Sequence, residues 1–232
     1  MIGLLNAYRF DENASYQARY SAMCMRYVSS AFGLPITMYD AGLGHLPESI
    51  EEAELWIITG SAKAAYDTDS WIVALGEFVR ACHTARKKLI GICFGHQLIA
   101  HYLGGKTEKA KNGWGVGVRS FRILAKKPWM NPELSDVSLL FSHQDQVVQL
   151  PPHAQLLAEN EFCPIQMFTL GDHILCLQGH PEFTPEFAKE RMDTRVATIG
   201  QDTCNRAVSS LSLPTHSREI GQWLNSFFLL RT

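Results

Sequence analysis

LIGICFGHQLIAHYLGG, residues 89–105, is the stretch that decides the fold. Together with Lys87 and Lys88, its first half is a β-rich apolar run that ends at Cys93. From the next residue the apolar positions take helical spacing to Leu103, and Gly104-Gly105 closes the helix. Gly91 and Gly95 stand two residues before and two residues after the cysteine. This G-x-C-x-G pattern is the cysteine form of a nucleophile elbow, a sharp and strained strand-to-helix turn that needs small flanking residues and holds the thiol out at the carboxyl edge of a sheet. A helix N-terminus there favours the anionic sulfur, and the N–H of Phe94 would point at an oxyanion formed on an attacked carbon. The competing reading, a structural cysteine buried on a strand, does not account for both glycines at a strand-helix junction.

Outward from this window, strand and helix patterns alternate. Strands are expected at 2–7, 35–40, 54–59 and 87–93, and helices at 15–32, 71–85 and 94–103, with Ser15 and Ser70 as N-caps and Gly33 as a stop. Such alternation predicts an α/β fold with a mostly parallel central sheet flanked by helices. After Gly105 shorter β-like runs follow at 116–123, 137–141, 155–159, 165–169 and 173–178, then helices at 185–199 and 217–229. They read as a small antiparallel extension, so residues 1–232 are expected to form one domain.

Composition narrows the function. Of 232 residues, 46% are apolar and 19% charged, which suits a chain that buries a full core. Lys and Arg number 21 against 23 Asp and Glu, a formal charge of -2, so no basic balance calls for nucleic acid. No apolar run approaches the ~18 residues a membrane span requires. The N-terminal apolar run is too short for a secretion signal, and the six cysteines form no C-x-x-C pair. Free thiols in a cytoplasmic protein are therefore expected, with no metal site and no cofactor.

A nucleophilic cysteine needs a base, and the base needs an orienting group. ILCLQGHPEF, residues 174–183, supplies both: an apolar run leads into His180-Pro181-Glu182. Residues two apart on a strand share a side, so Glu182 can reach the His180 ring while the other ring nitrogen faces Cys93.

Four separated segments now form one pattern: ITGS with AAYD (58–61, 64–67), GICFGHQ (91–97), SHQDQVVQLP (142–151) and GHPEF (179–183). The chain resembles the class I, triad-type glutamine amidotransferases over nearly its whole length. Within them it is most similar to the glutaminase domain of GMP synthase and to stand-alone γ-glutamyl peptidase-like relatives. The resemblance implies a flavodoxin-like glutaminase fold and hydrolysis of a γ-glutamyl amide through a γ-glutamyl thioester. It implies Cys93 as nucleophile, His180 as base and then acid, and Glu182 as the carboxylate that orients His180. It also implies backbone N–H groups of Phe94 and Ser61 as oxyanion donors, each contributing about 3–4 kcal/mol, with Gly60 shaping the turn. Ser61 departs from the commoner glycine or proline of this turn. Gln97, Ser142, His143 and Asp145 resemble the positions that hold the substrate's α-amino and α-carboxylate groups; a solvated loop competes for 142–145. Tyr66 and Asp67 read equally as pocket rim or surface loop.

The implied substrate is glutamine or another γ-glutamyl compound. If ammonia leaves, a synthase partner that receives it is expected; if an amine leaves, the protein is a γ-glutamyl peptidase. Neither an S-G-G-x-D-S loop nor a G-x-x-x-x-G-K-[ST] motif is present, so no synthase module is expected within these residues. A non-catalytic binding or regulatory module on the same scaffold is the third reading, opposed by the intact Cys93, His180 and Glu182. An α/β-hydrolase is disfavoured, because its acid precedes the histidine, whereas Glu182 follows His180 by two.

Overall fold

The computed structural model describes residues 1–9 and 14–230. The strands of the first half are short and largely apolar: β1 (Ile2–Leu5), β3 (Leu55–Ile58) and β4 (Lys88–Ile92) are buried on both faces but for Lys88, and β2 (Ile36–Tyr39), at the sheet edge, is partly exposed. Near-continuous apolar runs of this kind fit a parallel sheet covered on both sides. Ile2, Leu4, Leu55, Ile57, Ile90 and Ile92 point to one face, under α1 (Ala14–Phe32) and α7 (Ser217–Leu229). Leu5, Trp56, Ile58 and Leu89 point to the other, under α2 (Ser70–Thr84) and α3 (Phe94–Tyr102). Gly33, at φ 63°, ends α1. Two expected caps move: Ser15 lies inside α1 as its second residue, and α2 begins at Ser70 itself, with Asp69 as N-cap.

The remaining strands are β5 (Lys106–Lys109), β6 (Gly115–Ile123), β7 (Asp136–His143), β8 (Asp145–Gln149), β9 (Ala154–Glu159), β10 (Met167–Leu170) and β11 (Ile174–Leu177). Nine strands form one sheet in the order β2-β1-β3-β4-β11-β10-β9-β6-β7. Pairing is parallel from β2 to β11 and antiparallel from β11 to β7, so the expected extension is continuous with the parallel half. The antiparallel half curls back on itself. Leu140, on the far edge strand β7, bridges to His180, three residues past the end of β11, whose N–H donates to the Leu140 carbonyl at 2.8 Å. This curl brings the end of β7 to the carboxyl edge of the parallel strands, where ligands of such sheets bind.

Three features differ from the sequence expectation. β5 and β8 form a separate two-stranded antiparallel ribbon; of 142–145, where a loop competes in the sequence, 142–143 end β7 and Asp145 begins β8. The helix expected over 185–199 breaks into α4 (Pro185–Asp193) and α5 (Val196–Ile199). A further helix, α6 (Gln201–Ser210), follows Gly200 and packs Cys204 and Ala207 against Val116 of β6. Among the described residues no helix is long and apolar enough to cross a membrane.

Candidate active site

Cys93 sits between β4 and α3 with φ 52° and ψ −99°, a conformation that strains any residue other than glycine. Both neighbours of the turn are tied down. The Cys93 N–H donates to the Leu177 carbonyl at 2.9 Å, and the Gly95 N–H donates to the Thr59 carbonyl at 3.2 Å. The flanking glycines allow backbone to meet backbone: a Cβ on Gly91 would lie 2.6 Å from the Gly95 carbonyl carbon, and one on Gly95 would lie 2.5 Å from the Ile58 oxygen. Gly95→Ala should therefore push α3 off β3 and lower stability by about 1–3 kcal/mol, the usual cost of overpacking. Denaturant unfolding checks this, and an unchanged midpoint would show that the close approach is dispensable.

His180 and Glu182 are not on a strand, in contrast to the expected alternation. β11 ends at Leu177, and the following segment carries His180 into its bridge with β7 before Pro181, which has no N–H to continue a ladder. The side chains meet nonetheless. His180 Nδ1 lies 2.7 Å from Glu182 Oε1, and both residues are buried. The Phe183 ring stacks on the imidazole at 3.8 Å between centroids and 16° between planes. Opposite, Gly60 leaves room: a Cβ there would come within 2.8 Å of His180 Cε1. Burial pulls the imidazole pKa down, but interaction with Cys93 and the Glu182 carboxylate, and hydrogen bonds to both, outweigh it and push it up to about 10.

With Nδ1 engaged by Glu182, the other ring nitrogen is the one available to Cys93. The arrangement can thus keep a proton on His180 beside a nucleophilic sulfur and deliver that proton to a leaving group. Phe94 is the first residue of α3, so its N–H has no acceptor within the helix. In the turn after β3, the Thr59 hydroxyl donates to the Gly60 carbonyl at 3.2 Å and accepts from the Ala7 N–H at 3.0 Å. These buried bonds pin the Gly60–Ser61 peptide and give the Ser61 N–H a fixed direction.

Cys93, Ser61, Gln97, Ser142, His143 and Asp145 line one cleft of about 350 Å³, together with Tyr66 and Asp67. The Gln97 amide donates to the Asp145 carbonyl at 2.7 Å and to Gln178 Oε1 at 3.1 Å, so its NH₂ group braces β8. His143 is buried, and its Nδ1 lies 3.0 Å from the Asp145 carbonyl. Burial holds its pKa down at about 3, so it is neutral. A carbonyl partner puts the proton on Nδ1 and leaves Nε2 as an acceptor. Asp145 Oδ1 accepts from the Tyr66 hydroxyl at 3.2 Å, and partial burial raises the carboxyl pKa. Asp67 accepts from the Ala64 N–H at 3.0 Å, shaping the rim.

Lys109, Trp114, Arg195 and Thr198 also line the cleft, and the sequence does not mark them as site residues. Lys109 and Trp114 read there as solvated face and packing, and nothing local distinguishes Arg195. His96, in contrast, packs against Phe168 and is fully buried, as a packing role requires.

An elbow cysteine, a carboxylate-bonded histidine and a cleft at the carboxyl edge of a parallel sheet are the parts that nucleophilic acyl transfer requires. Comparison with known proteins gives the family. Residues 39–196 match the family model for class-I glutamine amidotransferases, and the chain belongs to that family. It is 34% identical to γ-glutamyl peptidase 3 of Arabidopsis thaliana over 196 residues, 80% of this chain and 79% of that one. It is also 34% identical to a glutamine-hydrolysing GMP synthase component of Pyrococcus abyssi, over 40% of this chain and 50% of that one. The fold matches a crystal structure of a glutamine amidotransferase from Thermotoga maritima, with a TM-score of 0.74 and 17% identity, covering 99% of this chain and 96% of that one.

Proposed function

We propose that this protein hydrolyses γ-glutamyl amide bonds with Cys93 as nucleophile, and that its first substrates are γ-glutamyl peptides. The observation that carries this reading is the strained Cys93 elbow facing a His180 that is bonded to Glu182. Cys93 Sγ attacks the γ-carbonyl carbon, and the N–H groups of Phe94 and Ser61 hold the oxyanion. The C–N bond breaks as His180 gives its proton to the departing amine, leaving a γ-glutamyl thioester. Water, deprotonated by His180, then cleaves the thioester, releasing glutamate and restoring the thiol. Gln97, Ser142, His143 and Asp145 hold the γ-glutamyl head, with Asp145 opposite its ammonium.

The leaving group separates two branches of this chemistry. A glutaminase releases ammonia, which a synthase partner would take up; a γ-glutamyl peptidase releases an amino acid or peptide. The match to γ-glutamyl peptidase 3 extends over 80% of the chain, against 40% for the GMP synthase component, and this favours the peptidase branch. The test is a panel of glutamine, γ-glutamyl dipeptides and glutathione-type conjugates, read by glutamate release from the isolated protein. Release from peptides in preference to glutamine is expected. Release from glutamine alone would return the protein to the amidotransferase branch, and no release together with no acyl-enzyme would favour a binding module.

A further inference from the structure

We propose that Arg195 is a specificity-determining residue that binds the carboxylate of the leaving amine, so that γ-glutamyl amides of amino acids are preferred over neutral amides and over glutamine. This inference rests on the γ-glutamyl reading above. Arg195 lies between α4 and α5 and lines the same cleft as Cys93. Its guanidinium is held on two sides. Nη2 donates to the Tyr8 hydroxyl at 2.8 Å, and Cζ lies 5.7 Å from the centroid of Trp114, itself part of the cleft wall. A guanidinium so braced loses little freedom on binding an anion.

No carboxylate of the described residues pairs with Arg195. Arg191, which repels it, is the one cation among the titratable groups that act on it; Tyr8, Cys93 and Tyr16 favour its charged form. Burial, first, and that repulsion hold its pKa below the usual arginine range, yet an arginine stays charged. Arg195 is a partly desolvated guanidinium on the cleft wall without a carboxylate partner of its own among the described residues, and its five N–H donors in a planar fork match a carboxylate.

The other wall of the cleft explains why this carboxylate is the leaving group's. The γ-glutamyl head carries ammonium and carboxylate on one carbon, so both charges must be met at one place. Lys109 and Asp145 stand directly opposite each other in the β5–β8 ribbon, and both line the cleft, supplying one charge of each sign there. Arg195 comes from a different element and has no acid beside it among the described residues. A lone cation suits a lone carboxylate, which a departing amino acid has and ammonia lacks.

The test compares γ-glutamyl-alanine, its C-terminal amide and glutamine, by kcat/KM for glutamate release. The wild-type protein should favour the free acid over its amide by about tenfold to a hundredfold, the range a bidentate charge-assisted contact supplies. Arg195→Gln should collapse that acid-over-amide ratio toward one, and Arg195→Lys should keep part of it. Both substrates are read in one preparation, so a loss of folded protein does not alter the ratio. A wild-type ratio of one, or a ratio that Arg195→Gln leaves intact, would overturn the assignment while leaving γ-glutamyl hydrolysis standing. No glutamate from any of the three would overturn both.

Discussion

Cys93→Ala is expected to abolish glutamate release from every γ-glutamyl substrate, with the circular dichroism of the folded protein retained. The attacking atom disappears, and among the described residues no second thiol lines the cleft to replace it: Cys24, Cys82, Cys163, Cys176 and Cys204 are all buried elsewhere. Alanine keeps the Cβ, so the elbow, with φ 52° at this position, retains its geometry. The same variant has a second, independent consequence at His180. In the native site burial lowers the imidazole pKa, while interaction with Cys93 heads the causes that raise it to about 10. Removing the sulfur leaves burial opposed only by Glu182, so the His180 pKa must fall, and NMR titration of the ring follows it directly. A group raised above its unfolded value contributes stability below about pH 6.5 that is lost as pH rises through its folded pKa. In the variant that loss moves to lower pH. Wild-type hydrolysis by Cys93→Ala would place the nucleophile elsewhere, and an unmoved His180 titration would show that the two groups are not coupled.

The parts of this site legible in the sequence are those whose chemistry is local. Gly91 and Gly95 announce the elbow because backbone approach at 2.6 and 2.5 Å leaves no room for a side chain at either position. The buried strands of the parallel half are legible because both faces demand apolar residues, as at Leu55–Ile58. Illegible parts depend on distant chain. β5 reads KTEK, with only Thr107 buried, and becomes a strand through its pairing with β8. The break between α5 and α6 turns on Gly200 at φ 92°, a conformation that one glycine among 17 does not advertise. Strand alternation predicts that His180 and Glu182 meet, yet their contact follows from the bridge to Leu140 and the Phe183 stack. Arg195 is the extreme case. Its meaning comes from Tyr8 and Trp114, far away in the chain, and from the cleft that Trp114 and Arg195 both line.

The curl of the antiparallel half is what makes these distant pieces one site. Without the Leu140–His180 bridge, β7 would lie at the far edge of a nine-stranded sheet, four strands from β11. The bridge places Ser142 and His143 beside the segment that carries His180 and Glu182. Residues proposed to grip the substrate, at the end of β7, are therefore tied by this bridge to the segment proposed to transfer protons.

Glu182→Gln should lower turnover by about a hundredfold and move the alkaline limb of the pH–rate profile to lower pH. The size follows from what the carboxylate does. In a serine triad the analogous change costs about 10⁴-fold, because the alcohol must surrender its proton during attack and the amide stabilises the wrong imidazole tautomer. A cysteine thiol is intrinsically far more acidic than an alcohol, so its attack depends less on the third residue, and a glutamine can still offer Oε1 to Nδ1–H of an imidazolium. The loss is then one of charge and not of geometry, since the Phe183 stack and the room left by Gly60 keep the ring in place. The direction of the pH shift follows from sign. Glu182 is one of the groups that raise the His180 pKa against burial, so replacing it by a neutral amide lowers that pKa from about 10. His180 must carry a proton to release the amine, and a lower pKa empties it at lower pH. His180→Ala bounds the effect from below: it removes the base for the thiol and the acid for the leaving amine together, and should approach Cys93→Ala in severity. The measurement is single-turnover acylation and steady-state glutamate release across pH. An alkaline limb that stays in place in Glu182→Gln would mean that Glu182 does not set the imidazole charge. A loss as deep as that of Cys93→Ala, in a folded variant, would mean that the carboxylate is needed for more than holding and charging His180.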